Sequence, residues 1–367
     1  MSEKVRISAS QMGAIMYPTV IATGIINLPL LTGQIAKQDS WISAILASTI
    51  GFIAVWIAFK LHKSFPDKTF IQYSEDIVGK LLGKVIGFFY LLFFLHFNGI
   101  VIREYSDFVG GTFLNQTPMM VVTGIFLLFS AYAVHGGLEV IGRLGQMLLP
   151  FFVIPLFFFL LILLIYMDPK NILPIMENGI VPSLKGSYVL SSWFSELFLI
   201  SFLLPYLKKE SNGLKWGFYT AVGIMFTLFA VNLVVLLDLG RFSFYALNPL
   251  LTAVRYISLG DFFEHVEVGL LAIWILGTFV KITVLFFIVT KAASEWLKLT
   301  DERVLIFPLG FLQMVISFWV SKSFQQLSDF LLYYLPSYFF TFFIAIPFFL
   351  LLINAVKNKV QKSKSSV

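Results

Sequence analysis

The chain has 367 residues, of which 58% are hydrophobic, 17% aromatic and 13% charged, and its formal net charge is +6. So little charge cannot cover a soluble domain of this size, and the absence of cysteine excludes disulfides, thiolate chemistry and cysteine-based metal sites. The apolar residues fall in long blocks such as 42–59, 121–134, 148–166 and 338–353 rather than in the short alternating segments of an outer-membrane barrel, so they imply a helical bundle in a bilayer.

Ten spans are predicted, near 11–36, 41–59, 84–108, 118–135, 147–167, 188–206, 216–237, 263–294, 304–322 and 330–353. With the N-terminus inside, 18 Lys and Arg fall on the cytoplasmic side and 6 on the other (Lys37, Lys170, Lys185, Arg241, Arg255, Lys322). This positive-inside bias places both termini in the cytoplasm. It also accounts for the basic excess as a topology signal, so no nucleic-acid role is expected. The first apolar block is too long for the h-region of a secretory signal and lacks a small-residue cleavage pattern, so it is read as a span. No long hydrophilic stretch interrupts the spans, which leaves no room for an attached ATPase. The expected organisation is a single transmembrane domain over 1–367, followed within it by a basic cytoplasmic tail, 354–367, disordered near anionic lipid.

Span 1 contains Tyr17-Pro18 and, after Thr23 and Gly24, Asn27-Leu28-Pro29. Two prolines each remove a backbone donor, and glycine permits unwinding, so this helix is expected to be broken in mid-membrane. After span 2, residues 70–82 mix apolar and charged side chains as an interfacial helix does, although a plain connector fits nearly as well. Span 3 carries His96, Asn98, Arg103, Glu104 and Asp107. The charges at 103–107 are read as snorkelling or as a local ion pair at the outer end, and His96 as a singly hydrogen-bonded core histidine. Asn98 lies deeper and needs a partner. Glu139 and Arg143, four apart, fit an intrahelical ion pair at the inner end of span 4.

Span 6 reads Ser191-Ser192-Trp193-Phe194-Ser195-Glu196, then Leu204-Pro205, and is the second expected break. Three serines and a carboxylate are costly in lipid unless they line a cavity. Spans 1 and 6 head two five-helix halves, about 11–167 and 188–353. Five is odd, so the halves run in opposite senses as an inverted repeat requires, and paired interrupted helices point to a site at the midplane. Beyond span 7, Asn248-Pro249 and the half-apolar stretch 250–259 would cap a vestibule. Glu264 and Glu267 stand at the outer entrance to span 8 as a cation attractor or an ordinary solvated helix start.

Lys281 lies midway along span 8, and Glu196 midway along span 6. A lone charge there costs roughly 2.5–3.5 kcal/mol, so the two are expected to share a cavity or face each other. Lys281 would stand in for a coupling cation or meet a ligand carboxylate. Glu196 would hold Lys281, take a proton or meet a ligand ammonium. A static pair that fixes helix register is the competing reading. There is no Gly-rich phosphate loop, no metal-binding His-Glu arrangement and no nucleophile with a base, so neither an enzyme nor a cofactor or metal is expected.

Several segments together resemble the spore germination permeases, the B subunits of nutrient germinant receptors. They are Thr23-Gly24-Ile25-Ile26-Asn27-Leu28-Pro29, Leu114-Asn115-Gln116-Thr117-Pro118, Gly136-Gly137-Leu138-Glu139-Val140-Ile141-Gly142-Arg143, Ser195-Glu196 with Leu204-Pro205, and Trp274 with Phe279-Val280-Lys281-Ile282. Those permeases are similar to the amino acid–polyamine–cation transporter superfamily. The resemblance implies an all-α membrane protein with a LeuT-like, five-plus-five inverted repeat and discontinuous helices 1 and 6. Carried onto this sequence, it implies a ligand site of Ala22, Thr23 and Gly24 from helix 1, and Ser195, Glu196 and Leu199 from helix 6. Helix 3 would add Phe97, Asn98 and Val101, and helix 8 Thr278 and Lys281. Ser195 stands where many relatives have glycine, which narrows that pocket. The resemblance further implies a small germinant, an amino acid, signalling through A and C receptor subunits in the spore inner membrane and later the vegetative cell membrane. The alternative function is a proton- or cation-coupled amino acid permease.

Overall fold

A computed structural model describes residues 6–208, 212–257 and 267–365, with side chains as far as 361. Fourteen α-helices are present among them. These are α1 (Ala9–Ala36), α2 (Ser40–Ser64), α3 (Phe70–Val78), α4 (Lys80–Thr112), α5 (Met119–His135), α6 (Leu138–Leu163), α7 (Val181–Ser195), α8 (Gly213–Leu239), α9 (Pro249–Arg255), α10 (Glu267–Leu297), α11 (Ile306–Trp319), α12 (Phe324–Asp329), α13 (Leu335–Phe339) and α14 (Ile346–Ser365). Seven helical stretches are long and apolar enough to cross a membrane, the first of which folds as both α1 and α2. With the shorter apolar α5 and the composite α7 element, they supply the ten spans, and the chain is an integral membrane protein.

The spans pair symmetrically. Helix α1 packs on α8 and α2 on α7, two contacts that exchange when the five-helix halves are swapped; α4 on α11 and α5 on α10 exchange likewise. Helix α10 also lies against α1, α4 and α6, so it stands at the centre of the bundle with α1. Local signals begin several elements. Ser8 and Gln11 form a reciprocal capping box at the start of α1, which satisfies two otherwise orphaned N–H groups. Gly79, at φ 90°, makes the turn from α3 into α4, a conformation that a side chain would strain. The short α3 buries Phe70, Ile71, Tyr73 and Ile77, and α9 buries Leu250, Leu251, Ala253 and Val254.

Helix α1 departs from expectation because it is not broken. It winds as one α-helix from Ala9 to Ala36 with Pro18 and Pro29 inside, and Gly24 does not take a left-handed φ. A proline deletes only its own donor, so each one costs the helix a single backbone hydrogen bond and leaves the turns on either side able to wind. Packing against six neighbouring α-helices (α2, α6, α7, α8, α9 and α10) holds the winding. The second expected break is present in a milder form. At Glu196 the α-helix tightens into a 3-10 helix that runs to Phe202, and a second 3-10 turn covers Leu204–Tyr206. Ser191 and Ser195 donate back to carbonyls three residues earlier (both 2.6 Å), which competes with α-winding just before the change.

Two further differences lie near the C-terminal end. The last span contains π-helical turns at Phe330–Tyr334 and Phe340–Ala345 on either side of Pro336. The expected disordered tail is instead helical through Ser365, because no glycine or proline interrupts it. Lys357 donates to the Ile77 carbonyl (2.5 Å), which docks the start of this tail on α3.

Candidate functional site: a buried lysine clamp

The site is built where the winding of the α7 element changes. Glu196 is the first residue of the 3-10 segment, and its carboxylate receives both contacts of the Lys281 ammonium from α10, at 2.9 Å to Oε1 and 3.0 Å to Oε2. The same Nζ donates to Thr23 Oγ1 on α1 at 2.8 Å. That hydroxyl also accepts from Trp193 Nε1 at 2.9 Å, and the Phe97 ring of α4 lies 5.4 Å from Nζ. One ammonium therefore ties together α1, the α7 element and α10, with an aromatic face from α4 closing the remaining side.

Burial makes this clamp consequential. The side chains of Lys281 and Glu196 are each 1% exposed. Isolated, either charge would be expelled from such surroundings, and removing one partner of a buried pair costs about 3–5 kcal/mol. Together they satisfy two of the three ammonium protons on carboxylate oxygens and the third on Thr23. The clamp is thus closed and internally complete, a state that a charged solute can enter only by taking over one of its contacts.

The sequence-predicted residues divide into those the fold brings to the clamp and those it does not. Thr23, Phe97, Glu196 and Lys281 meet. Ala22 is buried at the α1–α10 contact, where a Cβ built on Gly277 would lie 3.1 Å from it. Gly24 faces α8 and Trp193, with Leu228 3.2 Å from a built Cβ. Val101, Leu199 and Thr278 are buried, and the Thr278 hydroxyl has no hydrogen-bond partner. Ser195 turns its hydroxyl back to the Ser192 carbonyl rather than into the site. Asn98 also points elsewhere: it donates to Gln313 of α11 and to the Ile282 carbonyl, so it bridges α4 to α10 and α11 instead of reaching Lys281.

Sequence reasoning missed one element of the site. Glu104 was grouped with the charges at the outer end of its span, but it is buried and accepts from Asn27 Nδ2 of α1 at 2.7 Å. It lies on the face of α4 that carries Phe97 toward the Lys281 ammonium. The signal was present: Phe97, Val101 and Glu104 recur at i, i+4 and i+7, one stripe of a helix. Trp193 and Gln313 were likewise not foreseen as partners. The other assignments on these helices hold. Arg103 pairs with Asp107 (2.8 Å) and Arg143 with Glu139 (2.5 Å), while His96 makes one hydrogen bond, to the Tyr338 hydroxyl (3.2 Å), and packs edge-on against Phe330. Glu267 begins α10, and Glu264 lies outside the described residues.

Ten spans in two exchangeable halves, with charged side chains meeting at a mid-membrane change of helix winding, define the class of LeuT-fold membrane proteins. The fold is shared with MhsT, solved in complex with L-phenylalanine (12% identity, TM-score 0.65, covering 96% of this chain and 99% of that one). It is also shared with Mhp1, a nucleobase-cation-symport-1 family transporter (12% identity, TM-score 0.63, covering 89% and 75%). Within that class, residues 6–325 match the family model described as spore germination protein, and the chain belongs to that family. Its relatives include Spore germination protein KB of Bacillus subtilis strain 168, 25% identical over 99% of this chain and 98% of the relative. Another is Spore germination protein YndE of the same strain, 28% identical over 80% and 82%.

Proposed function

We propose that this chain is the B subunit of a nutrient germinant receptor, a sensor that uses a transporter fold to bind a free amino acid at the lysine clamp. The observation that carries the reading is the closed Lys281–Glu196–Thr23 arrangement. A zwitterion brings the same two charges that the clamp pairs internally. Its carboxylate takes the Lys281 ammonium while its own ammonium takes Glu196 and approaches Glu104, so charge stays balanced throughout. Thr23 and the backbone around Ala22 and Gly24 flank the carboxylate. Phe97, Val101, Leu199 and Thr278 bound the side chain; Ser195 narrows the space, and Asn98 acts behind them through Gln313.

Insertion of the ligand separates α10 from the 3-10 segment, and binding shifts the conformers only by its differential affinity for them. The shift passes to A and C receptor subunits and starts germination, with no covalent chemistry in the chain itself. The membrane is that of the dormant spore and later of the cell, with both termini in the cytoplasm.

A second reading is a permease that carries an amino acid with protons or cations, and the fold shared with transporters favours it. Uptake of labelled amino acids into proteoliposomes, measured beside germination of a deletion strain, separates the two. Loss of germination without solute flux supports the sensor, whereas robust flux with normal germination overturns it in favour of the permease.

A further inference from the structure

A cavity lies away from the clamp, between α1, α6 and α8, with a volume of about 480 Å³. Its rim is polar, formed by Ser10 and Gln146, and flanked by the exposed Trp216 and Tyr219 of α8. Lys215 stands beside Trp216, with its ammonium 5.4 Å from the Tyr219 ring. Inward from the rim the walls are Val153, Phe157 and Phe226. The floor is a hydrogen bond from α1 to α8, 2.6 Å between the hydroxyls of Tyr17 and Thr227.

Length, volume and chemistry agree on one occupant. From Trp216 to Thr227 the groove runs about 16 Å along α8, taking about 1.5 Å per residue, and so spans one leaflet of a hydrocarbon core about 30 Å thick. At about 30 Å³ per water-sized unit, 480 Å³ holds roughly sixteen, the size of a single fatty-acyl chain. The rim carries the Trp, Tyr and Lys that hold a lipid at headgroup level, and Lys215 favours an anionic headgroup.

We propose that this groove is a binding site for one acyl chain of an anionic phospholipid from the leaflet on the N-terminal side of the bundle. The chain end rests on the Tyr17–Thr227 bond. That bond belongs to the same α1–α8 seam in which Leu228 packs beside Gly24, so a seated lipid supports α1 one to two turns from Thr23.

The test uses full-length protein in phosphatidylcholine vesicles doped with phosphatidylglycerol, or with phosphatidylcholine, carrying a photoactivatable diazirine at the chain end. Labelled peptides are mapped by mass spectrometry. The site predicts labelling concentrated on Tyr17, Phe157 and Thr227, with phosphatidylglycerol preferred. Gly223→Leu projects into the groove, because a Cβ there meets only the Tyr17 ring at an ordinary 3.5 Å. It should cut this labelling about tenfold, the affinity equivalent of roughly two methylenes of contact. Lys215→Gln should remove the headgroup preference while leaving the folded protein intact. Labelling spread evenly over lipid-facing residues such as Ile125 and Phe129 of α5, and unchanged by Gly223→Leu, would overturn the proposal. So would its loss when partner subunits are co-reconstituted, since that would assign the groove to a protein.

Discussion

Lys281 and Glu196 face each other across the junction of α10 and the 3-10 segment, with the ammonium 2.9 and 3.0 Å from the two carboxylate oxygens and both side chains out of reach of water. The pair sits at the one point where the α7 element changes its winding from α to 3-10 inside the bundle. A short 3-10 stretch within a membrane helix often marks a hinge. Here the change of winding and the charge pair coincide, and under the proposed function this would couple solute binding to backbone movement.

Lys281→Met leaves a buried carboxylate without a counter-charge and should destabilise the protein by about 3–5 kcal/mol. Removing both charges, in Lys281→Met with Glu196→Leu, should restore most of that loss, because a packed apolar pair replaces a buried ionic one at little net cost. Thermal unfolding of the purified proteins reads the recovery. Germination of spores carrying the double variant should remain unresponsive to nutrient.

Thr23 accepts from both Trp193 and Lys281, so Thr23→Val strands two donors at once. The expected loss of stability is about 1–3 kcal/mol, the range for an unsatisfied buried group. Thr23→Ser keeps the oxygen and should retain most of the stability and the response. Equal behaviour of the valine and serine variants in unfolding and germination assays would show that the hydroxyl is not the third contact of the clamp.

Glu104→Gln keeps an oxygen for Asn27 and nearly the same shape while removing the charge. Its unfolding temperature should stay close to that of the parent. Its affinity for a zwitterionic ligand should fall by about tenfold, or 1.4 kcal/mol, because one partner of the ammonium is lost. A thermal melt checks the first part, and a titration with the nutrient that triggers the parent protein checks the second.

Gly277 lets α10 approach α1 and α6, since a Cβ there would overlap Phe152 and press on Ala22. Gly277→Ala should therefore cost about 1–3 kcal/mol through overpacking. Adding Phe152→Leu should recover part of it. Chemical denaturation of the single and double variants measures the exchange.

The hydrophobic blocks made the ten spans legible, and the cost of a lone charge in lipid pointed correctly to Lys281 and Glu196 as partners. The α1 winding was misjudged because proline and glycine report what a helix can do in isolation, whereas six packed neighbouring helices decide what it does. Asn98 was assigned to the site by the family resemblance, and its depth implied only that it needs a partner. Neither gives the direction of a side chain, and it turns toward Gln313. Glu104 was discounted because Arg103 and Asp107 beside it suggested the membrane surface. Adjacent residues on a helix point about 100° apart, so two of these three charges pair at the helix edge while the third faces α1. The helical tail was missed because basic, Ser-rich composition reads as disorder when its docking partner, α3, is distant in sequence.

The central claim is that a free amino acid displaces the internal pairing of Lys281 with Glu196. The most direct measurement is calorimetric titration of amino acids, and of matched amines and carboxylic acids lacking one of the two charges, into the purified full-length protein and into the Lys281→Met, Glu196→Leu double variant. At least one zwitterionic amino acid should bind the parent protein and leave the double variant without a signal, and its single-charge analogues should bind neither. Binding of that amino acid to the double variant with the parent's affinity would contradict the account.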